Sequence, residues 1–263
     1  NGAMQVAQRG TSYTGTDNYH TVDRILTSNG GLDEDCTMAQ VDVSAGTSPY
    51  TLGFRKFARI ALAQAGVVAS NSAAEIDQRI EAQDIHSSGW NYLSTSSFVT
   101  LSFWAKSSVT QTFYGRLMTE TGPASRNFPF EVDLVGGTWK KFTIKIPGAS
   151  NLAFTNSNQS GLRIEWVQAA GTDQSGTAPL NQWSTYSSTD RYPAVASTWY
   201  DTDNATYELT GVQLEVGSEA TPFEFRSYAD ELIRCMRYYQ ASTDDWHSAL
   251  NSNSTPGAYS NCN

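Results

Sequence analysis

Residues able to do chemistry are sparse in this sequence. The three histidines, His20, His86 and His247, are scattered, and none lies in an HExxH, GxSxG or phosphate-loop pattern. Carboxylates recur two apart, Glu75 with Asp77 and Glu131 with Asp133. That spacing sets both members on one face of a strand, the pattern of any solvated face. A retaining glycosidase instead needs two carboxyls about 5 Å apart across a cleft. No catalytic residue is expected, and the chain reads as a non-enzyme, with a polysaccharide depolymerase as the outside alternative.

Binding chemistry is better represented. Trp183, Tyr186, Tyr192, Trp199 and Tyr200 crowd into residues 171–203, beside Asn181, Gln182, Asp190, Arg191 and Asp201. A sugar needs an apolar ring face to stack on and amides or acids to bond its hydroxyls. Trp183, Tyr186, Tyr192, Trp199, Tyr200, Arg191 and Asp201 are therefore the expected glycan-binding residues. The competing reading is that these aromatics pack the segment onto the body of the protein or into a subunit contact. Trp104 and Trp90 are weaker candidates. No cofactor is expected, although Asp33-Glu34-Asp35 and Asp201-Thr202-Asp203 offer oxygen ligands for calcium without completing an EF-hand spacing. Cys36, Cys235 and Cys262 lack zinc or redox spacing and are expected as free thiols.

Composition narrows the partners. Charged residues make up 16% and aromatic residues 12%, and the formal net charge is -9. No Lys/Arg cluster offsets that charge, so nucleic acid is not an expected partner, and a strongly anionic polymer is disfavoured unless a cation bridges it. No apolar stretch reaches transmembrane length, and the first residues do not read as a signal peptide.

The elements that must position these residues are strands. Alternation marks 98–106, with Val99, Leu101, Phe103 and Ala105 on one face, and 140–146, with Phe142, Ile144 and Ile146 inside. Residues 38–43, 50–57, 112–118, 128–134, 162–168 and 206–216 read similarly. At 75–85, Ile76, Gln78, Ile80 and Ala82 face the core, and Glu75, Asp77, Arg79 and Glu81 face water. The Ala-rich stretch 59–70 is ambiguous. The parity change at Gly211 predicts a bulge, and Gly136-Gly137 and Pro147-Gly148 supply turns. One helix is expected after an N-cap at Ser227, with Leu232, Cys235, Met236 and Tyr239 as its apolar stripe. These signals indicate an all-β antiparallel sandwich or barrel followed by one short C-terminal helix. Pro222 ends the last strand, and Phe223 and Phe225 are expected to cover the open end of the sandwich.

NGAMQVAQRGTS (1–12), HTVDR (20–24), FVTLSFWAKS (98–107), GTWKKFTIKIP (137–147), TGVQLEVGSEATPFEF (210–225) and RSYADELIRCMRYY (226–239) together resemble a recurrent module of bacteriophage tail-fibre proteins. The closing motif is the most specific; 25–75 and 171–205 carry no resemblance. The resemblance implies an antiparallel jelly-roll β-sandwich like that of carbohydrate-binding modules over 1–225. Residues 226–263 would then hold a helix and the start of a truncated C-terminal extension. It also implies a virion protein, a homotrimer beside other virion proteins, with host cell-surface polysaccharide as partner and no membrane insertion. In that setting Leu232, Met236 and Tyr239 either pack on their own sandwich or meet their copies at an oligomer interface. Three functions stay open: a receptor-binding lectin, a structural or decoration protein, and the depolymerase.

Overall fold

The computed structural model describes residues 1–15 and 17–240, so His247, Cys262 and the end of the 226–263 segment lie outside the described residues. In chain order the first strands are β1 (Ser12–Thr14), β2 (Ile25–Ser28) and β3 (Cys36–Asp42), then helix α1 (Ser48–Thr51) and β4 (Lys56–Leu62). Next come β5 (Ala73–Glu81), α2 (Ala82–His86), β6 (Phe98–Ser107), β7 (Gln111–Thr119), β8 (Arg126–Leu134), β9 (Lys140–Pro147) and β10 (Ser160–Ala170). The two-residue strands β11 (Ser175–Gly176), β12 (Ser184–Thr185) and β13 (Tyr192–Pro193) precede β14 (Thr206–Val216) and helix α3 (Tyr228–Met236).

Two antiparallel sheets form, ordered β1-β3-β4-β14-β6-β9 and β12-β8-β7-β10-β5-β2. From β4 onward the chain passes repeatedly from one sheet to the other, which makes the structure a jelly-roll sandwich. The inner faces are the apolar parities read from the sequence. Phe103 stacks on Phe142 at 5.2 Å and meets Trp166 edge-on at 5.5 Å, joining the two sheets. Leu101, Phe113, Phe128, Phe130, Ile164 and Tyr207 complete the buried layer. Burying each large side chain contributes roughly 1.5–3 kcal/mol, so this layer supplies the main driving force for folding.

Three expectations change. Residues 50–57 are not one strand: Pro49 at the first turn of α1 makes 48–51 helical, and the strand begins at Lys56. The ambiguous 59–70 stretch is strand only as far as Leu62. The strand expected over 75–85 stops at Glu81, where Ala82 donates its N–H to Gln159 and α2 begins. The bulge at Gly211 is present as a register shift between Thr210 and Gln213. Ser227 caps α3, its hydroxyl accepting the N–H of Asp230 at 3.2 Å.

Phe223 and Phe225 take a different place from the one expected. They lie 4.9 and 5.0 Å from Phe54, in an aromatic group with Phe57, Trp104 and Tyr50 over the outer face of the first sheet. Gly211 makes this packing possible: its φ is +65°, and a Cβ there would sit 2.7 Å from the Phe54 ring. Gly211→Ala should therefore destabilise the fold by about 1–3 kcal/mol through strain and collision together. Gly46 also has positive φ, +83°, but nothing within 4 Å, so Gly46→Ala should cost less. Urea midpoints check this, and an equal loss at both positions would contradict the packing described.

Candidate functional site

The outer face of the second sheet carries a row of charges. Asp77 on β5 pairs in register with Glu165 on β10, which pairs with Arg116 on β7. All three, with Glu75, are buried; Arg116 is 1% and Glu165 0% exposed. The solvated face expected for Glu75 and Asp77 is thus overturned, because the 171–203 segment lies across it.

Charges leave water only at high cost unless they are paired and hydrogen-bonded. Here Arg116 forms an ion pair with Glu165, and Arg163 reaches Glu165 at 2.9 Å and Asp77 at 3.9 Å. Tyr192, from the covering segment, places its hydroxyl 2.8 Å from Glu75 Oε1 and 3.0 Å from Glu165 Oε2. Its ring lies 5.1 Å from the Arg116 guanidinium, and the Tyr186 ring lies 5.2 Å from it. Arg191 adds a contact to Glu75 at 3.9 Å, and its carbonyl accepts from Asn127 at 2.8 Å.

One phenolic proton cannot serve two carboxylates. Burial pushes Glu165 up, but the Arg116 guanidinium beside it holds the carboxyl below its ordinary range, so it is ionised. Burial, and then the neighbouring Glu165 charge, push Glu75 up to about 7. Below about pH 7, where Glu75 carries a proton, Tyr192 therefore donates to Glu165 and accepts from Glu75. Asp77 is raised as well, by burial and then by Glu165 and Glu75.

This geometry corrects the expected glycan site. Tyr192, Trp199 and Tyr200 are fully buried and present no face to a sugar. Tyr200 bonds Asp33 at 2.9 Å through its hydroxyl, and the Trp199 backbone N–H donates to Gln111 at 2.8 Å. Trp183 is half-buried on Phe128, and its indole N–H donates to the Pro147 carbonyl at 2.7 Å. Tyr186 is half-buried, Arg191 is engaged with Gln174 and Glu75, and Asp201 is exposed and accepts from Ser197. Apart from Asp201, whose one bond stays within the segment, these residues fasten the segment to the rest of the protein.

The acidic loops are also occupied by protein donors. Asp33 accepts the Val67 N–H at 2.9 Å, Glu34 accepts from Gln64 at 2.6 Å, and Asp203 accepts the Ala65 N–H at 2.8 Å. Among the described residues no three His, Cys, Asp or Glu side chains gather as metal ligands would. Cys36 and Cys235 are free and buried, and burial pushes their thiols up to about 12 and about 11. His20 stacks on Tyr13 at 3.5 Å, and His86 is exposed.

Aromatic rings and polar groups do converge elsewhere, where the end of α3 meets the N-terminal segment and β5. Tyr19, Tyr238, Tyr239, Arg9, Arg24, Arg79, Asp23, Glu81, Asn158 and Ser160 line a cavity of about 250 Å³ there. Arg9 lies 3.5 Å over the Tyr239 ring and Arg24 lies 4.5 Å over that of Tyr238. Gln8 ties the wall together, donating through its side chain to the Tyr239 carbonyl at 2.8 Å and through its backbone to Asp23 at 3.0 Å. Arg237 donates to both Glu81 oxygens at 2.7 and 2.8 Å and holds that carboxyl down at about 2. Tyr238 remains 44% exposed.

The stripe read as a possible oligomer interface is thus partly used by its own chain: Leu232 and Met236 are half-buried, and Tyr239 lies under Arg9. Sequence reasoning missed Tyr19 and Tyr238. The Tyr238-Tyr239 pair just past the helix is a signal for Tyr238; nothing in the sequence pattern marks Tyr19. A second aromatic hollow of about 410 Å³ is lined by Trp139, Thr112, Asp133 and Lys140; one side of the indole there faces Lys106 at 5.3 Å.

No protein-family model and no curated protein matches the sequence. Among solved structures the chain is similar to the enzymatically active domain of tailspike protein 4 of bacteriophage CBA120, at 11% identity and a TM-score of 0.39. That match covers 82% of this chain but only 21% of the tailspike chain. A family 11 carbohydrate-binding module of a cellulosomal cellulase from Clostridium thermocellum is 10% identical with a TM-score of 0.38, covering 79% of this chain and 97% of that one. A family 4 carbohydrate-binding module is 14% identical with a TM-score of 0.37, over 82% and 98%. These likenesses concern the course of the strands and assign no ligand.

An acid whose folded-state pKa lies above its unfolded value binds extra protons when folded, so stability falls as pH rises between the two. For Glu75 that window runs from the ordinary 4.5 to about 7. Glu75→Gln, which keeps a donor toward Tyr192, should gain stability over the wild type across that window and hold a constant advantage above it. Denaturant titrations at pH 4.5, 6 and 8 read the difference; an advantage that does not change with pH would rule out a protonated Glu75.

Proposed function

We propose that the protein is a non-catalytic attachment module that binds a cell-surface glycan in the cavity beside α3. The observation that carries this is the convergence of Tyr19, Tyr238 and Tyr239 with guanidinium, amide and hydroxyl groups from separate parts of the chain around one concave space. Tyrosine rings offer the apolar face of a sugar its partner, and the polar groups between them suit hydroxyls. The volume is below the roughly 300–1,000 Å³ of drug-sized sites and fits a single sugar ring better than a chain.

A non-enzyme reading is supported by the carboxyls at hand. A general acid needs a pKa near the working pH, whereas Glu81 is held at about 2 by Arg237 and Asp23 is bonded by Gln8. Glu75 and Glu165 do have the opposed protonation states that a retaining glycosidase uses. Both are sealed beneath Tyr192, whose hydroxyl fills the space between them.

The resemblance of its motifs to those of tail-fibre modules supports reading this chain as a bacteriophage virion protein, a fibre or related appendage, with host polysaccharide as its target. In this reading it is a homotrimer beside other virion proteins, in which the exposed Ile233 and the outer edges of Leu232 and Met236 meet their copies. Among the described residues no helix is long and apolar enough to cross a membrane.

Binding of the full chain to intact host cells and to purified surface polysaccharide tests the proposal. Tyr238→Ala should weaken binding about tenfold or more, equivalent to ~1.4 kcal/mol, without unfolding the protein. Trp139→Ala and Trp183→Ala should leave binding nearly unchanged. Loss in Trp139→Ala alone would move the site to the other hollow, and no binding by an assembled protein would favour a structural or decoration role.

A further inference from the structure

The charges around the cavity are not equivalent. Its lining holds three guanidiniums, Arg9, Arg24 and Arg79, against two carboxylates, Asp23 and Glu81. The local balance is one positive charge, in a chain whose net charge is -9. Both carboxylates are already satisfied, Asp23 by Gln8 and Arg9, and Glu81 by Arg237. Arg79 lies 4.0 Å from Asp77. Arg24 forms no ion pair among the described residues; its guanidinium lies 4.5 Å over the Tyr238 ring, and its charge helps to hold the Glu231 carboxyl down.

Arg24 is also held where it is against a local preference. Its φ is +70°, in the left-handed region, which is sterically unfavourable for a residue with a Cβ. The flanking backbone imposes it: Asp23 donates its N–H to Val6 at 2.9 Å, Ile25 donates to Val22 at 3.1 Å, and the Asp23 carbonyl accepts from the Asn1 side chain at 2.9 Å. Strained residues kept in place this way concentrate where a side chain must be aimed. A second cavity of about 390 Å³ also borders Arg24, and its wall sets four carboxylates, Asp84, Glu215, Glu224 and Glu231, against two further cations, Arg226 and the N-terminal amine of Asn1. An anion therefore finds its attraction on the tyrosine side and repulsion on the other.

We infer that the tyrosine-lined cavity takes an acidic sugar, with the sugar's oxyanion bound by the Arg24 guanidinium and its ring set against Tyr238. This rests on the glycan-binding reading and narrows it. The overall negative charge does not forbid it, because at physiological salt charges beyond about 8 Å are largely screened and the nearest guanidinium dominates. A carboxylate and a phosphate ester share the required chemistry, and the test separates them.

The experiment measures binding of the full chain, by calorimetry, to hexuronate oligosaccharides of gluco, galacto and manno configuration. Each is paired with its carboxyl-reduced neutral counterpart, and phosphorylated hexose oligosaccharides form a third arm. At least one anionic form should bind about tenfold or more tightly than its neutral partner, a difference of ~1.4 kcal/mol. The carboxylated and phosphorylated arms identify which oxyanion is preferred. In Arg24→Asn, where asparagine tolerates the left-handed backbone, that preference should fall to within about twofold while neutral-sugar binding persists. Neutral forms binding as well as acidic ones would overturn the inference and leave glycan binding standing. Equal loss of acidic and neutral binding in Arg24→Asn would assign Arg24 a structural part only, and binding of no oligosaccharide in any arm would overturn both readings.

Discussion

A single hydroxyl shared by two carboxyls, Tyr192 between Glu75 and Glu165, holds together the least regular part of this protein. Around it the sheet presents acids and arginines that a surface strand would leave in water. Covering them is favourable only as a set: Arg116 neutralises Glu165, the Tyr192 hydroxyl bonds it, and below about pH 7 Glu75 takes up a proton. Removing one member of such a buried set leaves an uncompensated charge or an unmet polar atom, which typically costs about 3–5 kcal/mol. The 171–203 segment has little secondary structure of its own, with only β11 pairing β13 and β12 joining the sheet edge. Its placement comes from this network and from the rings of Trp183, Trp199 and Tyr200.

That constraint decides where ligands can go. The aromatics that looked most like a sugar platform are the fasteners of the covering segment. The outer face of the other sheet is also partly covered, by Phe54, Phe223 and Phe225. The tyrosine-lined space beside α3 differs in kind. Its rings are braced by guanidiniums on one side, and Tyr238 stays open to solvent. The helix that forms one wall is tied to the sandwich by the Glu81–Arg237 pair and by Gln8, so the cavity depends on α3 staying seated.

Much of the scaffold was legible because alternation reports burial directly. Residues 98–107, 140–147 and 206–216 are strands with the faces that their pattern implies, and Ser227 caps the helix. What alternation cannot report is the partner of a charged face. Glu75 and Asp77 have the same spacing whether water or Arg116 and Tyr192 lie above them, and those partners come from positions far along the chain. Composition misled for a related reason: Trp199 and Tyr200 in a polar segment look exposed until the sheet beneath them is known. Tyr239 was legible as apolar but not as half of an Arg9–Tyr239 stack, since no periodicity connects residue 9 to residue 239.

The central claim is that ligand contact occurs beside α3 and away from the 171–203 segment. A crystal structure of the full chain with a bound acidic oligosaccharide tests it most directly. The expected result is a sugar ring against Tyr238 with its oxyanion at Arg24, and an unchanged Tyr192 bridge between Glu75 and Glu165. A sugar seated on Trp139, or one that lifts the segment and occupies the place of the Tyr192 hydroxyl, would contradict it.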